Sequence, residues 1–223
     1  MIQVLPLPAY LVKRYHGWKA TTHAENKAWY RRLAADGQHP RAMVISCCDS
    51  RVHVTSIFGA DQGEFFIHRN IANLVPPFET KGDYHGTSAA LEFAVTRLKV
   101  KQIVVLGHAN CGGIRALMEN DASTRSEGFI DSWMQIAAPA KKEVLSRSDL
   151  DTPELRTDAC EKTAVSYSLR NLMTHPWICS RVEAGSLGLV GYYYDLRSGE
   201  LVNVDEIKAS TLLASKDSNH RHS

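Results

Sequence analysis

The run Ile103-Val104-Val105-Leu106-Gly107-His108-Ala109-Asn110-Cys111-Gly112-Gly113 decides how the rest of the chain is read. Four β-favouring apolar residues in a row predict a buried strand, and Gly107 is expected to end it just before a His and a Cys three positions apart. On a strand-to-helix turn, His108 and Cys111 can face one site. An imidazole nitrogen and a thiolate are two of the ligands that tetrahedral zinc takes, so a third soft ligand and an open fourth position must come from elsewhere. A second apolar run, Ala42-Met43-Val44-Ile45-Ser46, empties into Cys47-Cys48-Asp49-Ser50-Arg51, where thiols, a carboxylate and a guanidinium crowd together. Parallel strands that end side by side place their following loops on one edge of the sheet, where open α/β proteins keep their sites.

Working outward, residues 23–35 space Ala24, Ala28, Trp29, Leu33 and Ala34 at helical intervals, with Thr21 or Thr22 as candidate N-cap and Gly37 as the stop. This helix is expected to follow a start broken by Pro6 and Pro8. A second strand is predicted near 64–68. His85-Gly86-Thr87-Ser88 then caps a periodic helix over about 89–98, which returns to the strand before His108. Such strand–helix–strand steps imply a parallel sheet with right-handed crossovers. Cys111 opens the next helix, and the bare Gly112 and Gly113 leave its first amides able to face an anion or a polarised oxygen. Residues 130–145 and 153–173 are helical in pattern, while 188–195 and 200–204, joined through Ser198-Gly199, read as a late hairpin. The polar segment 216–223 is predicted to be disordered, and its histidines incidental. The fold class expected is α/β in a single domain: a mostly parallel central sheet flanked by helices, with an N-terminal helical arm over 1–36 and a zinc-binding domain over 37–215.

The chain's 223 residues suffice for one domain with a sizeable core, and 44% hydrophobic with 22% charged residues excludes disordered and fibrous classes. A net charge of +2, without any run of five or more basic residues, leaves no electrostatic footprint for nucleic acid. Five cysteines are an odd number, and no secretory-type segment opens the chain, so a reducing, cytoplasmic compartment is expected. No apolar run approaches the roughly 20 residues of a membrane span.

Each candidate has a plainer reading. Cys160 and Cys179 are expected to be small hydrophobes, the usual state of a free cysteine. Of Cys47 and Cys48 only one can face the metal, because neighbours on an extended chain point opposite ways, and position favours Cys47. Asp49 and Arg51 could be a turn-stabilising ion pair. Alternatively, the carboxylate can accept a hydrogen from zinc-activated water and aim its lone pair, with the guanidinium holding it through a two-pronged hydrogen bond. The same Asp could instead rotate onto zinc as a fourth ligand and close the site. His16, His39, His53, His85 and His175 have no evident partner; most are expected at surface or capping positions, and one could relay protons.

Taken together, Cys47-x-Asp49-x-Arg51, His68-Arg69-Asn70-Ile71-Ala72-Asn73 and His108-x-x-Cys111-Gly112-Gly113 resemble the motifs of a β-class carbonic anhydrase. The likeness runs over about 38–195 and takes in Val75-Pro76-Pro77-Phe78, Glu92-Phe93-Ala94-Val95 and Gly191-Tyr192-Tyr193-Tyr194-Asp195. It implies reversible hydration of carbon dioxide to bicarbonate and a proton. It also implies Zn2+ on Cys47, His108 and Cys111, a catalytic dyad of Asp49 and Arg51, and a carbon dioxide pocket lined by Gln38, Phe66, Ile71 and Phe93. The Gln38 amide and the Gly112 N–H could then hold the product's oxygens. Family members are built from dimers, so a homodimer or a multiple of dimers is implied, with no nucleic-acid or membrane partner.

Two departures stand out. Cys48 occupies a position where a small residue such as Ser is usual, adding an oxidisable thiol. Phe93 stands where plant-like members commonly carry Tyr. Val44 and Ser46 replace the Trp and Gly of bicarbonate-inhibited members, which favours the plant-like, always-open subtype. Two thiolates and an imidazole cancel the charge of the metal, so an alkaline pH–rate profile is expected. The rival readings are a carbonyl sulfide or carbon disulfide hydrolase on the same metal, a non-catalytic zinc module, and a redox protein using Cys47 and Cys48. Adjacent cysteines make poor disulfide partners, which weakens the last.

Overall fold

The computed structural model describes residues 5–82, 85–120 and 128–205. The segment 216–223 therefore lies outside the described residues. The chain divides into two compact units, Met1–His39 and Pro40–Ser223.

In the first unit, α1 (Ala9–Trp18) starts directly after Pro8, runs into a π-helical turn at Lys19–His23, and is followed by α2 (Lys27–Asp36). The helical path thus begins well before residue 23. Pro8, read from the sequence as a break, sits ahead of the first turn, where a proline removes no helical hydrogen bond. Thr21 and Thr22 lie inside the π turn rather than at a cap, and the Thr21 hydroxyl donates to Gly17 O at 3.0 Å. Gly37 does stop α2, with φ 72°. No described side chain of α1 or α2 is buried; the Trp18, His23 and Tyr30 rings pack on one another.

The second unit contains β1 (Ala42–Cys47), α3 (Val54–Phe58), β2 (Phe65–Asn70), α4 (Gly86–Glu92), β3 (Gln102–His108), α5 (Gly112–Glu119), α6 (Phe129–Met134), α7 (Ala138–Leu145), α8 (Pro153–Leu172), α9 (Pro176–Glu183), β4 (Gly188–Tyr194) and β5 (Leu201–Asn203). The strand order is β2-β1-β3-β4-β5. The first four strands are parallel and β5 pairs antiparallel with β4, so the expected mostly parallel sheet with a late hairpin is what forms. Two helices had no counterpart in the sequence reading. α3 is too short to show a period, and α9 hides behind Pro176, a breaker that here takes the first helical position. Among the described residues no helix is long and apolar enough to cross a membrane.

All six residues of β1 are buried, as befits a parallel strand covered on both faces. Met43, Ile45, Ile103 and Val105 pack with Leu91, Val95, Val165 and Leu172, while Val44 and Leu106 pack with Val52 and Val54. The strand β3 does not end at Gly107 but runs through His108. The glycine serves packing instead. A Cβ at Gly107 would lie 2.5 Å from Val165 Cγ2, and one at Gly191 2.8 Å from Val165 Cγ1, so α8 lies against β3 and β4 only because both side chains are missing. His175 also departs from expectation. It precedes α9 as a cap residue would, yet it is fully buried, edge-on to the rings of Phe78 and Trp177. His53 and His85 precede α3 and α4 and are exposed.

Candidate metal centre

The connection from β1 leads to β2 on one side of it, whereas β3 lies on the other, so the carboxyl ends of β1 and β3 flank a topological switch point. Cys47 is the last residue of β1, His108 the last of β3, and Cys111 the residue from which α5 starts. Their three ligand atoms lie within 4.8 Å of one another, and all three residues are buried. Cys48 is exposed, and its backbone N–H donates to Asn70 O at 2.8 Å.

His108 Nδ1 lies 2.9 Å from Ala109 O. A carbonyl can only accept, so Nδ1 carries the proton and Nε2 presents its lone pair. That Nε2 is buried and has no hydrogen-bond partner. The two cysteines differ in acidity, Cys47 being the more acidic. The Cys111 thiol against it foremost, with the neighbouring His108 and the amides of Asp49 and Ala72, outweighs burial and draws its pKa down to about 4. The same contact, with burial, pushes Cys111 up. Burial opposes charge on His108, but the adjacent Cys47 more than offsets it and raises its pKa. A bare imidazole nitrogen and two buried cysteine sulfurs within 4.8 Å of one another fit the donor set of tetrahedral zinc, and an orphaned buried nitrogen is costly unless something occupies it.

The loops are held by residues of β2 and the turn after it. Arg69 donates from Nε to Cys47 O at 2.8 Å, and from Nη2 to Asp49 O at 2.7 Å and Val52 O at 2.8 Å, tying down the whole cysteine loop. The Asn70 side chain clasps both the N–H and the carbonyl of Leu74. Between them Ala72 and Asn73 take left-handed φ values of 60° and 49°, uncommon for residues with a side chain. This bend turns Ala72 N–H onto Cys47 Sγ at 3.3 Å. Trp133 Nε1 donates to Ile71 O at 2.8 Å.

Asp49 accepts from Arg51 Nε at 2.9 Å on Oδ1 and from Nη2 at 2.7 Å on Oδ2, and the Arg51 amide adds a third bond at 3.0 Å. Arg51 Nη2 also donates to Asn110 O at 3.0 Å, joining the loop after β1 to the loop after β3. This guanidinium holds the Asp49 carboxyl well below the usual range. The ring of Phe66 on β2 packs on that of Phe93, with centroids 5.8 Å apart. Ile71 and Phe93 are both exposed. Gly112 is the first residue of α5, and a Cβ on its neighbour Gly113 would meet Ile71 Cγ2 at 2.9 Å. Gln38 is exposed and belongs to the first unit, beyond the end of α2.

One buried group had been passed over. Glu161, on α8, accepts the Cys111 N–H at 2.7 Å and the Tyr193 hydroxyl at 2.9 Å. A signal for it exists in the sequence: Glu161 shares a helical stripe with Ala164, Val165, Ser168 and Leu172, all buried, and a carboxylate in an apolar stripe needs a partner. A cleft of about 770 Å³ is lined by Asn110, Arg115, Asp158, Glu161 and Tyr193 among others. Its lining contains none of Cys47, His108, Cys111, Asp49 or Arg51, so the chemistry of the metal centre is not assigned to it.

Fold and site together define an open α/β protein with a two-cysteine, one-histidine metal site at its topological switch point. The family model described as carbonic anhydrase matches residues 42–201. The chain belongs to the β-carbonic anhydrase family, whose metal is Zn2+. It is 40% identical over 186 residues to beta carbonic anhydrase 5, chloroplastic, of Arabidopsis thaliana, a match covering 82% of this chain and 60% of that protein. The chain thus spans less than two thirds of that relative. Among solved structures it resembles the β-carbonic anhydrase CcaA with a TM-score of 0.81 at 28% identity, covering 87% of this chain and 86% of that one. It also resembles a tetrameric β-carbonic anhydrase from the filamentous ascomycete Sordaria macrospora, with a TM-score of 0.74 at 30% identity over 87% and 94% of the two chains.

Proposed function

We propose that this chain catalyses the reversible hydration of carbon dioxide to bicarbonate and a proton, with Zn2+ held by Cys47, His108 and Cys111. The carrying observation is the convergence of three buried donor atoms within 4.8 Å, one an unpartnered imidazole nitrogen, at strand ends where Arg51 also pins Asp49. When bound, the ion supplies the Lewis acidity that makes water a nucleophile near neutral pH.

The protein's own residues do the rest. Asp49, kept ionised by Arg51, accepts a hydrogen bond from the attacking water and so selects which lone pair faces the carbon. Arg51 keeps that carboxylate occupied; released, Asp49 would have the metal site as its nearest positive partner and would close it. Phe66, Ile71 and Phe93 suit a small nonpolar substrate. The Gly112 N–H at the start of α5 suits the negative oxygens of the product. Val44 and Ser46 ahead of Cys47 support the plant-like, open-site subtype. Assembly as a dimer or a multiple of dimers is supported by the tetrameric relative and by the exposed Tyr10, Tyr15 and Trp29 of the first unit.

Metal analysis coupled to stopped-flow hydration tests this reading. About one zinc per chain and turnover that rises toward alkaline pH are expected. Folded protein without stoichiometric zinc would refute the ligand set, and faster turnover of carbonyl sulfide than of carbon dioxide would refute the substrate.

A further inference from the structure

We infer that Glu161, with Tyr193 behind it, is a positioning residue for the metal site, fixing the backbone of Cys111 and thereby the place where its sulfur stands. The inference rests on the ligand set proposed above.

Inside the turn from His108 to Cys111 one side-chain bond is made, His108 Nδ1 to Ala109 O. Asn110 adopts a left-handed φ of 55°, and the Cys111 N–H lies outside the helical ladder of α5. The turn is tethered from outside. Ala109 N–H donates to Tyr194 O at 2.9 Å, Asn110 O accepts from Arg51, and Cys111 N–H donates to Glu161 Oε1 at 2.7 Å. Only the last of these acts on a cysteine ligand of the turn itself, and its acceptor comes from a helix fifty positions along the chain.

Glu161 is 4% exposed. A carboxylate buried that deeply is tolerable only when both oxygens are bonded, and the second oxygen accepts from the Tyr193 hydroxyl at 2.9 Å. That hydroxyl also lies 3.0 Å from Asp158 Oδ1, and a phenol has one proton to give. Asp158 is supplied otherwise: its Oδ2 pairs with Lys162 Nζ at 2.6 Å, and half of its side chain meets solvent. The phenolic proton therefore goes to Glu161. Lys162, whose ammonium sits 4.8 Å above the Tyr193 ring, holds the outer end of the row in place. Tyr193, Glu161 and the Cys111 N–H form a row that braces a metal ligand from the protein interior.

The plainer alternative is that Glu161 merely caps α5 and adds stability. Metal affinity of the folded protein separates the two. Zinc release to a competing chelator, and the sulfur-to-metal charge-transfer band of the cobalt-substituted protein, would be measured for wild type, Glu161→Ala, Glu161→Gln and Tyr193→Phe. Thr152→Ala serves as control, because Thr152 Oγ1 caps α8 by accepting the Leu155 N–H at 3.2 Å. Glu161→Ala is expected to bind zinc about 10- to 100-fold more weakly with an altered cobalt band. Glu161→Gln keeps an acceptor oxygen for Cys111 and should stay within a few-fold of wild type. Tyr193→Phe should fall between them, and Thr152→Ala should lower the melting temperature with zinc affinity unchanged. If Glu161→Ala does not fold, the Gln and Phe variants carry the comparison.

Wild-type affinity and an unchanged cobalt band in Glu161→Ala, or in Tyr193→Phe where the Ala variant does not fold, would overturn the inference. So would equal weakening in Glu161→Gln and Glu161→Ala, or in the Thr152 control. Cys111→Ser, measured alongside, keeps this separate from the ligand assignment. If that variant holds zinc as tightly as wild type, the ligand set fails whatever Glu161 does.

Discussion

Asp49 and Glu161 are two carboxylates beside the same pair of cysteines, and they are held in opposite ways. Asp49 is bound by a cation two residues along, in a loop where half of the Arg51 side chain is in solvent, and its pKa is driven far down. Glu161 is bound by neutral donors from distant elements, an amide and a phenol, and burial pushes its pKa up. The first arrangement keeps a charge available to whatever enters the site. The second removes a charge from water and holds a piece of backbone with it. In the roles proposed for them, the same functional group serves chemistry in a loop and geometry in the interior, and its surroundings decide which.

The contrast can be broken at several points. The largest effect is expected where both carboxylates lose their purpose: Cys47→Ser should abolish zinc binding and turnover together, whereas Cys48→Ser, altering an exposed side chain, should leave zinc content near normal. Equal losses by metal analysis would mean that the wrong cysteine has been assigned. Next comes the loop carboxylate. Arg51→Ala should keep zinc while turnover falls about a hundredfold or more, because a released Asp49 closes the metal site instead of orienting water. Asp49→Ala should also retain zinc with low turnover, and near-native turnover in either variant would reduce the pair to a turn-stabilising feature. Glu161→Ala should give the mirror image, with weaker zinc binding but turnover close to wild type once zinc saturates the protein. A kcat loss as large as that of Arg51→Ala at saturating zinc would erase the distinction.

The smallest effect concerns burial alone. His175 is fully buried, and burial lowers its pKa from the ordinary 6.5. Below that value the unfolded chain takes up a proton that the folded chain resists, so the unfolded state binds more protons and stability falls as pH drops from 6.5 toward the lowered pKa. The loss is at most about 1.4 kcal/mol per pH unit for one proton. Denaturant titrations of wild type and His175→Gln over this range should show a shallower acid slope in the variant. His68, also lowered by burial, should leave a residual slope in both proteins.

These two halves of the site were unequally legible. β1 and β3 announce themselves as continuous apolar runs because both faces of each strand are covered, and their loops concentrate Cys47, Asp49, Arg51, His108 and Cys111 within a few residues of the strand ends. Asp49 and Arg51 are near neighbours, so their pairing could be anticipated. Glu161 could not be joined to Cys111 by any local pattern, since α8 returns to the site only through tertiary packing. Arg69 was visible as part of a motif, but its three carbonyl acceptors are fixed by the path of another loop. The left-handed turn at Ala72 and Asn73 carries no glycine to mark it; surrounding contacts impose it against local preference. The early start of α1 is hidden by Pro8, which reads as a breaker in the sequence and stands at a helix beginning in the fold.

The close approach of α8 to the sheet sets how much error the site can absorb. Carbon atoms rest about 3.5–4.0 Å apart, so a methyl group at Gly191, placed 2.8 Å from Val165, would have to lift the helix by about 1 Å or distort the side chains beneath it. Glu161 lies one turn ahead of Val165 on that same rigid rod. A change at a residue that touches none of Cys47, Cys111, Asp49 and Arg51 would then arrive at the Cys111 amide as a displacement larger than the roughly 0.2 Å tolerance of a metal–ligand bond. The two missing side chains act as a spacer gauge for the molecule, and the precision of its metal chemistry is inherited from atoms that are not there.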